Sequence, residues 1–165
     1  VLEDDLRIDN NFSSTLQEIL HYLHSQKNIE WSLINIAAKK NKISREIFRT
    51  HDYSLVRAYY FPIRGVGLVW SRQGAHDFLK MAQNPCLPVD IFFQNWLIKN
   101  GKGLSIWPPL VRPAGLDSDI LGTVATERVR RKQKENRDFS FFMKKQLRLL
   151  KNNILAYINF LSFKS

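Results

Sequence analysis

Gly65-Val66-Gly67-Leu68-Val69-Trp70-Ser71-Arg72-Gln73-Gly74-Ala75-His76-Asp77-Phe78-Leu79 (residues 65–79) changes its hydrophobic period at a single serine. The apolar residues before Ser71 predict a strand over 65–70. After it, Ala75, Phe78, Leu79 and Ala82 recur at helical spacing, which predicts a helix over 72–83 with those four facing inward and Ser71 as its N-cap. A strand that hands over directly to a helix is the unit of layered α/β folds.

Upstream, residues 55–63 read as another strand, and the break at Pro62 and Gly65 makes a hairpin with 65–70 the expectation. Residues 31–37 (Trp-Ser-Leu-Ile-Asn-Ile-Ala) form a compact apolar run suited to a strand, and the polar residues 39–45 read as a loop. Before them, Phe12, Leu16, Ile19, Leu20 and Leu23 follow the turn-forming Asp9-Asn10-Asn11 as an amphipathic helix. Downstream, Asn84-Pro85 stops the 72–83 helix. Pro88 starts another, with Val89, Phe92, Phe93, Trp96 and Leu97 as its apolar stripe and Asn100-Gly101 as its end. Residues 104–107 suit a short strand, and Pro108, Pro109, Pro113 and Gly115 an extended loop. Strands alternate with helices without internal repeat, so the expected class is α/β.

The 165 residues are 44% hydrophobic and 12% aromatic, enough apolar surface for a packed core. A single cysteine, Cys86, excludes an internal disulfide and offers no zinc spacing, which fits a reducing, cytoplasmic compartment. No secretory signal opens the chain and no apolar stretch reaches the roughly 20 residues of a membrane span. The chain begins with valine, and Val1-Leu2 reads as the last turn of a buried strand whose beginning lies outside it.

The net charge of +10 is concentrated at one end: residues 124–165 hold eleven Lys/Arg against three acids, leaving about +2 for residues 1–123. From about residue 126 the composition predicts a long basic helix, with Met143, Leu147, Leu150, Ile154, Ile158 and Leu161 on one face. This tail suits an anionic inner-membrane surface, with Lys144, Lys145, Arg148 and Lys151 toward lipid phosphates, or packing against its own domain or a second subunit. A non-enzymatic membrane- or nucleic-acid-binding module using Arg128 to Arg137 is the alternative class. No nucleic-acid motif is present and no nucleic-acid partner is expected.

Val1-Leu2-Glu3-Asp4-Asp5 sets three carboxylates beside one another after an apolar pair, and their repulsion is relieved by a divalent cation or by exposure to solvent. In a strand Glu3 and Asp5 share one face, which makes them the chelating pair. Val-Leu-Glu-Asp-Asp-Leu (1–6) resembles the acidic motif of glycosyltransferase family 25, the lipooligosaccharide galactosyltransferase type. Residues 67–79, Pro88-Val89-Asp90, and Trp107-Pro108-Pro109-Leu110-Val111 with Ser118 to Ile120 are similar to later segments of that family, in the same order. Val66 and Leu68 stand where the family tends to carry tyrosines.

The resemblance implies the C-terminal portion of a GT-A, Rossmann-like nucleotide-sugar-binding domain over 1–123, followed by a basic helical tail over 124–165. It also implies a UDP-sugar donor, usually UDP-galactose, and inverting transfer to a saccharide or lipid-linked glycan acceptor in lipooligosaccharide or lipopolysaccharide biosynthesis, with Mn²⁺ or Mg²⁺. The family's N-terminal half precedes the acidic motif, so activity is expected to need it. Carried over, Glu3 and Asp5 bind metal and donor, Asp4 supports the donor site, and Asp90 is the general base. As a residue near a helix start, Asp90 is equally explained by the helix dipole. Trp107, beside two prolines, and Asp117, on the Pro/Gly-rich loop that also carries Asp119, are the candidate acceptor-binding residues. Ser71 and Gly74 read as structural, and His21 and His24, three apart, lack a third metal ligand.

Overall fold

The computed structural model describes residues 1–3, 6–83, 88–114 and 139–162. Its elements are β1 (Leu6–Ile8), α1 (Phe12–Ser25), β2 (Leu33–Asn35), β3 (Ser44–Thr50), β4 (Tyr53–Ala58), β5 (Leu68–Trp70), α2 (Arg72–Met81), α3 (Val89–Asn100), β6 (Gly103–Trp107), β7 (Val111–Pro113) and α4 (Phe139–Ser162). Five strands form one mixed sheet in the order β3-β4-β6-β2-β5. Only β2 and β6 run parallel within it; β1 and β7 form a separate antiparallel ribbon.

Alternation along the strands explains the layers. Ile34, Leu104 and Ile106 point to the face covered by α1 through Ile19 and Leu23. Leu33 and Leu68 point the other way, against Phe93, Trp96 and Leu97 of α3, with Trp70 and Phe78 completing an aromatic cluster. The result is the mixed α/β sandwich that the strand–helix alternation predicts. Leu79 and Val89 depart from the expected stripes: both lie mostly in solvent, because α2 and α3 roll their aromatic residues onto the sheet instead.

The expected hairpin between 55–63 and 65–70 does not form. β4 ends at Ala58 and pairs with β3 and β6, whereas β5 pairs with β2 at the opposite edge. Residues 59–67 instead cross one face of the sheet, since β4 ends beside the start of β6 while Gly67 sits beside the end of β2. β3 lies where the reading has only the 39–45 loop and no later element. A register shift between Glu46 and Phe48 breaks the two-residue alternation by which a strand is recognised. Val1 and Leu2 are not buried: they run along Gly67–Leu68 at the sheet edge, through Leu68 N–H to Val1 O at 3.0 Å and an isolated bridge from Leu2 to Gly67, with their side chains exposed.

The Ser71 junction forms as read. Its hydroxyl accepts from Gly74 N–H at 2.9 Å and donates to Trp31 O at 2.8 Å. Gly74 packs so tightly on β2 that an added Cβ would lie 2.2 Å from Ser32 O. That contact is with backbone, which cannot rotate away. Gly74→Ala is therefore expected to lower stability by about 1–3 kcal/mol, the usual overpacking range, and Ser71→Ala by about 1 kcal/mol through loss of the cap. Urea midpoints by circular dichroism check both.

Candidate functional site

Ligand sites in open α/β sheets lie outside the carboxyl ends of the strands. Here that means the ends of the parallel neighbours β2 and β6. Beyond β2 the chain continues as Ile36 and Ala37, and Ile36 N–H donates to Gly67 O at 3.1 Å. The crossing segment arrives at the same place. Asn35, fully buried, donates through Nδ2 to Arg64 O at 2.7 Å and accepts at Oδ1 from Ala37 N–H at 2.9 Å. Gln94, also buried, donates to Phe61 O at 2.8 Å, so two interior amides fix the crossing at both ends of Phe61 to Arg64.

This anchoring sets two of the sequence candidates against adjacent residues of the crossing. Glu3 N–H donates to Val66 O at 3.1 Å, which holds the acidic segment against the crossing. On the adjacent residue, a Cβ added to Gly65 would lie 2.6 Å from Asp90 Oδ1. Glu3 and Asp90 thus border the dipeptide Gly65-Val66. Asp90 occupies the first turn of α3, half-buried, where the helix dipole favours its charge as well.

Trp107 closes β6 at the same end of the sheet and is 42% exposed, so its ring is available to a ligand. It lines a separate cleft, with Ser44, Glu46, Arg49 and Ser54 from β3 and β4, and is not joined to Asp90 by any contact. Asp4, Asp5 and Asp117 lie outside the described residues, as do Cys86, Asp119 and the arginines of 128–137. Among the described residues no group of three His, Cys, Asp or Glu side chains is placed to hold a metal, and His21 and His24 gain no third ligand. Glu3 is exposed beside the crossing, and its carboxylate has the hard oxygen chemistry that Mn²⁺ or Mg²⁺ takes.

Asn35 and Gly65 are site-forming residues that the sequence reading passes over. Asn35 had one signal, a lone amide within the apolar run of residues 31–37. Gly65 had none beyond its place at a chain break.

No membrane-spanning helix occurs among the described residues. α4 packs on α3 through Asn152, whose Nδ2 donates to Asn95 Oδ1 at 2.9 Å, through buried Ala156, and through Asn159, which donates to Ile98 O at 2.5 Å. Phe160 adds an edge contact to Tyr59. The stripe from Met143 to Leu161 is one helical face, as read, but it points away from the domain. All six of its residues are exposed, from 42% at Met143 to 63% at Leu161.

Over 96 residues, 56% of its length, the chain is 36% identical to procollagen galactosyltransferase 1 of Danio rerio. The match covers 15% of that protein's length. No family model matches the chain, and no solved structure does.

The glycines of the crossing make the geometry testable. At Gly65 an added methyl meets a side-chain carboxylate, which can swing aside; at Gly67 it meets the branched, buried Val111 and Ile36 at 2.5 and 2.9 Å. Gly67→Ala should therefore cost about 1–3 kcal/mol in chemical denaturation and Gly65→Ala less than about 1 kcal/mol. Equal losses would contradict the contact of Gly65 with a movable Asp90.

Proposed function

We propose that this chain is part of a glycosyltransferase that moves a hexose, galactose in the first instance, from a UDP-sugar to a saccharide acceptor. The observation that carries the reading is the convergence of Glu3 and Asp90 on Gly65-Val66, at the carboxyl ends of β2 and β6. The partial likeness to a galactosyltransferase supports the same class.

Asp90 is the general base in this reading. Its carboxylate takes the proton of the acceptor hydroxyl as that oxygen forms its bond to the anomeric carbon, the bond to the nucleoside diphosphate breaks, and the configuration inverts. Glu3 and Asp5 would hold Mn²⁺ or Mg²⁺, whose charge supports the departing diphosphate, with Asp4 beside the donor. Trp107 offers a stacking face and Asp117 a hydrogen-bond acceptor to the saccharide. The domain belongs to the GT-A type, and the acceptor is a lipid-linked glycan of lipooligosaccharide or lipopolysaccharide synthesis.

α4 suits such an acceptor. Its outward apolar stripe is bordered by exposed Lys144 and Lys151, and residues 139–162 contain no acid, so the helix lies on an anionic membrane surface as a peripheral attachment.

In the full-length protein, with UDP-galactose as donor, Asp90→Asn is expected to lower kcat by about 10² or more with donor affinity little changed, the scale of a lost general base. Excess chelator or Asp5→Asn should abolish transfer. Near-normal kcat in Asp90→Asn would return that residue to a helix-start role, and full turnover in chelator would remove the metal.

For α4, Leu150→Ser with Ile154→Ser keeps every charge and deletes two apolar side chains worth roughly 1.5–3 kcal/mol each when fully buried. Because both are exposed in the folded chain, the melting temperature should stay put while sedimentation with phosphatidylglycerol vesicles is lost. Duplex DNA binding that survives these changes, without vesicle binding by the parent, would favour the nucleic-acid alternative.

A further inference from the structure

Residues 60–64 of the crossing border a cavity of about 230 Å³. Lys39, Lys40 and Lys42 line it from the loop after β2, Arg64 from the crossing, and Tyr60 and Gln94 from its floor, with Leu149 of α4 as one wall. Among the described residues no carboxylate lines it, and none of the four cations is ion-paired. A rim of four basic residues with no acid beside them among the described residues suits an anion.

The phenol of Tyr60 points to the same chemistry. The residue is 4% exposed, and among the described residues its buried hydroxyl has no hydrogen-bond partner. An unpartnered buried hydroxyl is costly, and an oxygen-rich ligand in this cavity would accept a hydrogen bond from it. Burial also pushes the Tyr60 hydroxyl above the ordinary phenol range, against the opposing pull of Arg148 nearby, so it stays a donor at neutral pH. Lys42 Nζ stands 4.4 Å from the ring centre, where its charge is close to the cavity without being neutralised.

The crossing's share of the cavity is also held before any ligand arrives. Arg64 sits on the backbone that Asn35 fixes, and Phe61, next to Tyr60, is fixed by Gln94. The backbone that carries Tyr60 and Arg64 therefore needs no ordering when a ligand binds.

We propose that this cavity is a phosphate-binding site, which takes a phosphate-monoester or diphosphate group through Lys39, Lys40, Lys42, Arg64 and the Tyr60 hydroxyl. Arg64 immediately precedes Gly65, the residue that lies against Asp90, so the bound group is one residue along the chain from that carboxylate. Two sources carry this chemistry: the diphosphate of the nucleotide sugar and a phosphate on the acceptor glycan. That choice rests on the transferase reading; phosphate binding itself does not, and is measured without turnover.

The test is calorimetric titration of the whole chain with inorganic pyrophosphate, without divalent cations and at fixed ionic strength. Lys40→Ala with Arg64→Ala should weaken binding by at least about tenfold, the scale of hydrogen bonds lost to a charged ligand. Lys80→Ala with Lys99→Ala, which removes two exposed lysines of α2 and α3 outside the cavity, should leave binding within about twofold once fixed ionic strength has screened distant charges. Tyr60→Phe should fold as well as the parent or better yet bind pyrophosphate more weakly, a combination that a purely structural tyrosine does not give. Displacement of pyrophosphate by UDP at lower concentration than by hexose 6-phosphate assigns the site to the donor, and the reverse order assigns it to the acceptor. Absence of pyrophosphate binding, or equal weakening by the two lysine-containing double variants, would overturn the proposal, while transfer activity by the full-length protein would be unaffected as a conclusion.

Discussion

The buried amide of Asn35 is the constraint on which the rest of the site depends. It sits at the end of β2 with no exposure, so an unpaired group there would cost on the order of 1–3 kcal/mol. Its hydrogen bonds to Arg64 O and Ala37 N–H meet that cost, and in doing so they decide where the chain passes over the sheet. Everything that follows is geometry at one remove. Gly65 is brought against Asp90 because Arg64 is held; Val66 is then in place to receive Glu3 N–H, and Gly67 to receive Ile36 N–H.

The crossing also carries two kinds of charge along one stretch of chain. Arg64 lines the cavity with Lys39, Lys40 and Lys42, and the next residue, Gly65, lies against the Asp90 carboxylate.

α4 follows a different logic. It turns Asn152, Ala156 and the partly buried Asn159 toward α3, which offers matching groups: the Asn95 side chain and the Ile98 carbonyl at its last turn. Those hydrogen bonds, close approach at Ala156 and the partly buried Leu155 and Phe160 hold the helix, while the larger apolar face stays exposed. Hydrophobic burial alone would turn that larger face inward.

What the sequence determined by itself was local. The capped helix after Ser71, the α1 stripe, the glycine end of α3 and the single apolar face of α4 all rest on hydrogen bonds or spacings within a few residues, and such patterns are written in consecutive positions. The tertiary structure decided the rest. It set β5 at the far edge from β4, restored a strand at β3 that its bulge concealed, turned the α4 stripe outward, and brought Glu3, residue 65 and Asp90 to one place and Lys40, Arg64 and Tyr60 to another. Strand pairing, helix orientation and side-chain meetings across tens of residues depend on which surfaces remain to be covered once the neighbours are in place, and no window of sequence contains that information.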